Sequence, residues 1–200
     1  MTAIVQYWLW YAFDDWHGGT LVQRHAGDWE SVTVALGDDE PLFVAYSGHC
    51  GGQWRRWKDV RVAEDTGEQT HPLVAVAVGS HASYARAEDA RSPDWSSCLG
   101  LPGESVALLS YANNIRDRTG SDFELVLDDL IPVDGNKSPM NFPGRWGKTD
   151  EMAFELFGTR QVGSGGGPQT PSRQRHWDRP MRQFFCGPAW RPRLMPERCP

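Results

Sequence analysis

A polar heptapeptide followed by an alternating apolar run constrains this 200-residue chain more than any other feature. Residues 24–30 read Arg-His-Ala-Gly-Asp-Trp-Glu, and residues 31–36 read Ser-Val-Thr-Val-Ala-Leu. If a strand begins near Asp28, its side-chain period of two puts Asp28 and Glu30 on the same face as the valines of the run. Two carboxylates on a core-facing surface are unfavourable unless another group compensates their charge.

A bound divalent cation would compensate both carboxylates, and His25 could assist across Gly27. The alternative is that both acids reach solvent at the end of the strand or pair with an arginine. The spacing alone leaves both interpretations open.

The overall composition narrows the class of protein. The net charge is −6 and the Lys and Arg residues are not clustered along most of the chain, which argues against a general nucleic-acid binder. No run approaches the ~18 apolar residues that a transmembrane helix needs. The first residues lack a basic segment and a small-residue cleavage site, so we expect no signal peptide and a cytoplasmic location unless an N-terminal segment has been removed.

Short apolar runs separated by glycine-containing turns predict a mainly β fold. The predicted strands are residues 4–13, 30–36, 42–47, 73–78, 106–111 and 124–127. A short helix is predicted over Thr149–Leu156. This pattern is typical of a β-sandwich with long loops and few short helices. We expect one domain, with a β core over 1–157 and a Gly/Pro/Arg-rich loop and C-terminal extension over 158–200 packed on the same domain.

Acidic or histidine residues follow several of these predicted strands. Where neighbouring strands run antiparallel, such residues converge on one edge of the sheet. The convergent candidates are Asp14 or Asp15, His25, Asp28, Glu30, His49 and His81. Oxygen ligands favour Ca²⁺ or Mg²⁺, whereas a larger share of histidine favours Mn²⁺, Fe²⁺ or Zn²⁺. We expect one divalent cation, most simply Ca²⁺ or Mg²⁺. Each histidine taken alone is more often a hydrogen-bonded structural residue, and it is the convergence that favours a site for the group.

Aromatic and basic residues near this edge are candidates for ligand binding. Ten tryptophans are many for this length, and although most should serve packing, an exposed indole can stack on a sugar. The candidates are Arg24, for ligand oxygens, and Trp16, Trp54 and Trp57, for stacking. For the segment 54–57 the alternative is a solvated loop with one packed tryptophan.

Three short motifs together resemble known families. They are His-Ala-Gly-Asp-Trp-Glu at 25–30, Tyr-Ser-Gly-His at 46–49 and Gly-Ser-His-Ala at 79–82. The first resembles the H-x-x-D-W-E motif of the necrosis-and-ethylene-inducing peptide 1-like proteins, a cytolysin family. The set is more similar to the related Vps62-type domain, as are the segments 7–13 and 144–147.

The resemblance implies a jelly-roll β-sandwich with a divalent cation at one end. Carried onto this sequence, the implied cation ligands are Asp14 (or Asp15), His25, Asp28 and Glu30. The cytolysins bind a sphingolipid sugar headgroup with help from the cation. The implied partner is therefore a small molecule, a glycan or a lipid headgroup.

Two function classes remain open beside a cation-dependent binding module. One is a metal-dependent enzyme, such as a hydrolase, a lyase or a biosynthetic cyclase, in which His49 or His81 is the general acid or base. The other is a protein whose ion only stabilises the fold. Turnover that disappears when His49 or His81 becomes alanine, with metal still bound, would distinguish an enzyme from a binding module.

Overall fold

The computed structural model describes residues 3–18, 21–48, 51–65, 68–91, 130–137, 139–147, 149–156, 159–163, 167–174 and 177. These residues are mainly β, as predicted, and the sheets are antiparallel. The strands are β1 (Ala3–Gly18), β2 (Leu21–Gly37), β3 (Glu40–Gly48), β4 (Gly51–Arg56), β5 (Val62–Asp65), β6 (Glu68–Pro72), β7 (Ala75–Val76), β8 (Ser83–Tyr84), β9 (Thr149–Leu156) and β10 (Thr159–Gly163). Short 3₁₀ helices lie at Trp57–Asp59, Ala87–Arg91 and Pro171–Arg173.

The central strand of the main sheet is β2. Strand β1 pairs with β2 from Gly18↔Leu21 to Ala3↔Leu36. The first part of β2 also pairs with β9, and its last part pairs with β3, which gives the order β10-β9-β2-β3-β4 with β1 beside β2. Two small sheets, β5-β6 and β7-β8, complete the described strands. Among the described strands, the β1–β2 hairpin therefore forms the longest ladder.

The alternation predicted for residues 31–36 is confirmed by the packing. Val32 and Val34 pack with Val44 and Tyr46 in one buried cluster. Ala35 lies on the opposite face and packs with another cluster. Full burial of a valine side chain contributes about 1.5–3 kcal/mol, so these few residues supply much of the force that fixes the β2–β3 register.

Tyr46 offers a test of this core. Its side chain is fully buried, and its hydroxyl has no hydrogen-bond partner among the described residues, so burial raises the pKa of Tyr46 above its ordinary value. We expect Tyr46→Phe to leave the free energy of unfolding unchanged or slightly raised, because no hydrogen bond is lost. Tyr46→Ala should lower it by about 3–5 kcal/mol, because a large cavity is created. Urea denaturation measures both, and a loss above ~1 kcal/mol in the phenylalanine variant would show that the hydroxyl is bonded.

Aromatic residues cover the other face of the β1–β2 hairpin. Trp10 and Trp29 are directly opposite on the two strands, with ring centroids 4.8 Å apart. Trp146 packs on both, at 4.9 Å from Trp10 and 5.4 Å from Trp29. The Trp146 segment is held in place by its backbone N–H, which donates to the Pro168 carbonyl at 2.7 Å. These tryptophans serve packing between the hairpin and the segments that follow it.

The structure differs from several of the secondary-structure predictions. The helix predicted over Thr149–Leu156 is wrong, because this segment is strand β9. Apolar residues alternate with other residues near the end of this segment, and β9 pairs with β2. The predicted loop region 158–200 contains strand β10. Of the strand predicted over 73–78, only Ala75–Val76 is a strand. The predicted strands 106–111 and 124–127 lie outside the described residues.

None of the helices in the described ranges has the length and apolar character needed to span a bilayer.

Candidate metal centre

Four polar residues from separate parts of the sequence meet on the β1–β2 hairpin. Asp14 lies directly opposite His25 in the ladder, and Asp28 lies further along β2. His81 joins them from the turn between β7 and β8. We name this group the Asp–His centre. Both strands continue past it to the hairpin connection, so its members on β1 and β2 lie within the strands and not at the strand ends from which the sequence expected them to converge.

Gly27 explains how His25 and Asp28 both become buried. Residues three apart on a regular strand lie on opposite faces. Gly27 has φ +75°, a conformation that glycine adopts at little cost, and it changes the alternation between His25 and Asp28. A Cβ atom at Gly27 would lie 2.3 Å from Trp10 Cη2 and 2.4 Å from the Trp146 carbonyl oxygen. This glycine therefore serves both the centre and the close packing of the aromatic face.

The distances within the Asp–His centre suit a bound cation. Ligand atoms from Asp14, Asp28 and His81 all lie within 4.8 Å of one another. His81 Nδ1 is 3.1 Å from Asp28 Oδ2, and His25 Nε2 is 3.9 Å from Asp14 Oδ2. Because divalent cations sit about 2.0–2.6 Å from each ligand, two donors on one ion are at most about 5 Å apart. Small movements would bring these atoms onto one ion.

The turn that carries His81 is fixed against β1. The Asp15 backbone N–H donates to the Gly79 carbonyl at 3.1 Å, and the His81 N–H donates to the Ala77 carbonyl at 3.1 Å. Gly79 has φ +90°, and His81 has φ +56°. A left-handed conformation is uncommon for histidine, and strained residues of this kind concentrate at functional sites. The turn thus holds the His81 imidazole beside Asp28.

Tyr11 supports His81 from the other side. Its ring stacks on the imidazole of His81 with centroids 4.0 Å apart and planes 5° from parallel. Burial raises the pKa of Tyr11, and together with the nearby carboxylates of Glu30 and Asp28 it brings this pKa to about 12. The phenol therefore stays protonated at neutral pH and gives His81 an uncharged support.

Asp14 is the carboxyl group of the centre whose ionisation is shifted by this environment. Its surroundings together raise its pKa to about 6, mainly through burial, and the nearby Asp28 carboxylate acts in the same direction. His25 and His81 lower it, as does the Trp16 backbone N–H, which donates to Asp14 Oδ1 at 3.2 Å. Without a cation, Asp14 therefore retains its proton at pH values where an exposed aspartate has lost it.

This shift predicts a pH dependence of stability for the cation-free protein. The folded-state pKa is higher than the unfolded one, so the native state binds more protons and stability should fall as pH rises from about 4 to about 6. In the wild type, the free energy of unfolding should fall by an amount on the order of 2 kcal/mol over that interval. We expect this fall to be absent in Asp14→Asn. Urea denaturation in EDTA at several pH values measures it, and an equal pH slope in both proteins would contradict the assignment.

Glu30 is placed differently from the other predicted ligands. It is buried, and its carboxylate accepts a hydrogen bond from the Ser47 hydroxyl. Ser47 Oγ in turn accepts the Ser31 backbone N–H at 2.6 Å. Glu30 thus contributes to the connection between β2 and β3, and the three close donor atoms come from Asp14, Asp28 and His81 instead.

Arg24 lies beside the centre but on the exposed surface. Its Nε is 2.8 Å from Asp15 Oδ1, with 41% and 47% of the two side chains exposed. Asp14 and His25, the neighbouring pair in the ladder, are buried. Asp14, rather than Asp15, is therefore the upstream acid of the centre, and Arg24 would have to leave Asp15 to hold a ligand.

The three tryptophans predicted to stack on sugars all take part in packing. Trp16 is 3% exposed, so its ring offers no face to a ligand in this structure. Trp54 packs on Phe43 with centroids 5.5 Å apart, and Trp57 packs against the Val32 cluster. Both are only partly buried, so a ligand could reach part of each ring.

The sequence interpretation missed two residues, and one of its candidates cannot be placed. Tyr11 and Ser47 contact the candidate ligands His81 and Glu30. Both lie in segments that carry the family resemblance, 7–13 and 46–49, but nothing in the sequence assigned either of them a role in the site. His49, the other proposed acid or base, lies outside the described residues.

Comparisons with protein-family models, with curated proteins and with solved structures found no match for this chain.

Proposed function

We propose that this chain is a divalent-metal-binding β domain that recognises a polar ligand, either a glycan or an anionic headgroup. The observation that carries the proposal is the group of Asp14, Asp28 and His81, whose donor atoms lie within 4.8 Å of one another and whose two carboxylates are buried. Two carboxylates buried this close repel each other, and a cation converts that repulsion into attraction. The jelly-roll-like sandwich and the relation to the cytolysin and Vps62-type families are part of the same proposal.

Ligand recognition would take place on the surface next to the centre. Arg24 is a half-exposed cation on β2, adjacent to His25, and could bind an anionic oxygen once released from Asp15. Trp54 and Trp57 are partly exposed and could add stacking to a sugar ring. The cation would contribute by holding β1, β2 and the His81 turn in one arrangement.

Binding assays with and without the cation test this function. The purified chain would be applied to a glycan array and to phosphatidylcholine vesicles with and without phosphatidylserine, in a divalent-cation buffer and in EDTA. We expect binding to a glycan or to anionic vesicles that EDTA removes. Binding that EDTA leaves unchanged, or no binding by the cation-loaded protein, would contradict the proposal.

A metal-dependent enzyme is the second candidate, because the Asp28 carboxylate orients the His81 imidazole as in many acid–base sites. The reaction would be that of a hydrolase, a lyase or a biosynthetic cyclase. Turnover that is lost in His49→Ala while the metal content stays constant would favour the enzyme over the binding module.

A further inference from the structure

We infer that the Asp–His centre takes a borderline transition-metal ion of the zinc class, held by two imidazoles and two carboxylates, in preference to Ca²⁺ or Mg²⁺. This inference rests on the proposed function, since it concerns the identity of the same ion. It replaces the expectation of Ca²⁺ or Mg²⁺ drawn from the sequence, where aspartate and glutamate dominated the candidate ligands.

His25 shows the orientation of a metal-ligating histidine. Its Nδ1 lies 2.7 Å from the Gly27 carbonyl oxygen in a buried position. A carbonyl oxygen can only accept a hydrogen bond, so Nδ1 carries the proton and the lone pair of the neutral ring is on Nε2. Metal-bound histidines almost always donate their second N–H to a carbonyl or carboxylate in this way.

The free nitrogen of His25 faces the centre. Nε2 is 3.9 Å from Asp14 Oδ2, which is too long for a hydrogen bond but suitable for two donors that share an ion. His81 supplies a second imidazole to the same group, next to Asp28. Asp14, Asp28 and His81 thus offer two oxygens and one nitrogen within 4.8 Å of one another, and a movement of the His25 ring past Asp14 would add a second nitrogen.

This donor set is unfavourable for the hard cations. Ca²⁺ takes six to eight oxygen ligands, and Mg²⁺ usually retains several waters. Asp14, His25 and Asp28 are all at least nine-tenths buried, which leaves little room for a hydration shell, and the Glu30 carboxylate is bonded to Ser47. Zn²⁺ is satisfied by four nitrogen and oxygen donors, and imidazole suits Zn²⁺ and Fe²⁺ better than Ca²⁺.

The test is a direct comparison of ions on the full chain, stripped of metal and titrated calorimetrically with Zn²⁺, Mn²⁺, Ca²⁺ and Mg²⁺. We expect one Zn²⁺ per chain, bound at least about 100-fold more tightly than Ca²⁺ or Mg²⁺. Equal or tighter Ca²⁺ or Mg²⁺ binding would overturn the inference and leave the proposed cation centre standing. Failure of every ion to bind would remove the centre itself.

Two kinds of variant identify the donors. His25→Ala and His81→Ala should each weaken Zn²⁺ binding by about 100-fold or more. Mutation of a residue that only hydrogen-bonds to a metal ligand already lowers metal affinity by roughly 10–100-fold, and loss of the ligand itself should cost at least as much. Glu30→Gln keeps a hydrogen-bonding side chain beside Ser47 and should change Zn²⁺ affinity less than about threefold. A loss in Glu30→Gln that equals the loss in His25→Ala would overturn the donor set. Thermal melts in EDTA show whether each variant is folded. If a variant does not fold, the titrations of the wild-type chain with the four ions still test the preference for Zn²⁺.

Discussion

Asp28→Ala is expected to abolish divalent-cation binding. Asp28 contributes one of the three donor atoms that lie within 4.8 Å, and it also orients His81 through the 3.1 Å contact to Nδ1. The variant therefore loses one ligand and the orientation of a second, so affinity should fall by well over about 100-fold. Calorimetric titration of the metal-free protein measures this change directly.

The same substitution should also change stability, but only when the cation is present. An ion at 100 times its dissociation constant stabilises the native state by about 2.7 kcal/mol, and Asp28→Ala forfeits this contribution. In EDTA the difference in stability between Asp28→Ala and the wild type should be smaller, because removal of the Asp28 carboxylate also relieves its repulsion with Asp14. Thermal melts with and without the ion separate the two effects.

Asp15→Ala is the matched control. Asp15 follows Asp14 on β1 but is exposed and paired with Arg24, and such surface pairs contribute about 0–1 kcal/mol. We expect unchanged cation stoichiometry and nearly unchanged stability in this variant. Unchanged stoichiometry in Asp28→Ala would contradict the site, and an equal loss in Asp15→Ala would mean that general negative charge, not the centre, holds the ion.

Gly27→Ala should be the most destabilising small substitution in the hairpin. A Cβ atom here would lie 2.3 Å from Trp10 Cη2 and 2.4 Å from the Trp146 carbonyl oxygen, and φ is +75°. The left-handed backbone costs an L-residue about 1–2 kcal/mol, and overpacking typically adds about 1–3 kcal/mol. We expect the free energy of unfolding to fall by about 2–5 kcal/mol, together with loss of cation binding because His25 is displaced.

Gly37→Ala is the control for that variant, since Gly37 ends the same strand outside the left-handed region. The nearest atoms to a Cβ there belong to the flexible Leu42 side chain, with its terminal Cδ1 closest, and this side chain can move away. We expect a change below ~1 kcal/mol in urea denaturation. Equal losses in the two variants would show that the conformation and close packing of Gly27 have no special role.

The sequence predicted the participants of the centre better than their arrangement. Asp14, His25, Asp28 and His81 were all candidates, because acidic and histidine side chains beside apolar strands stand out. Their position along the strands differs from the expected one. Strands β1 and β2 extend beyond the apolar runs, so Asp14, His25 and Asp28 lie within the hairpin and not at the strand ends. Period-two reasoning could not bring His25 and Asp28 to one side, because that depends on the φ of a single glycine.

The errors in the fold have a similar origin. Strand β9 was predicted as a helix. Its local composition could not show that residues 21–25 of β2 would pair with it in the sheet. Trp16 was expected to bind a ligand, but it is buried, and the turn at Gly79 lies against its backbone. In each case a contact between distant parts of the chain decided the outcome, and such contacts leave little trace in local sequence patterns.

Elemental analysis of the purified chain, combined with thermal melts in EDTA and after return of each divalent ion, shows whether the Asp–His centre holds a cation. The Asp–His centre predicts about one divalent ion per chain and a melting temperature that falls in EDTA and recovers when the ion is restored. A protein that contains no ion, and whose melting temperature no divalent ion changes, would contradict the account and leave Asp14, His25, Asp28 and His81 as a metal-free polar cluster.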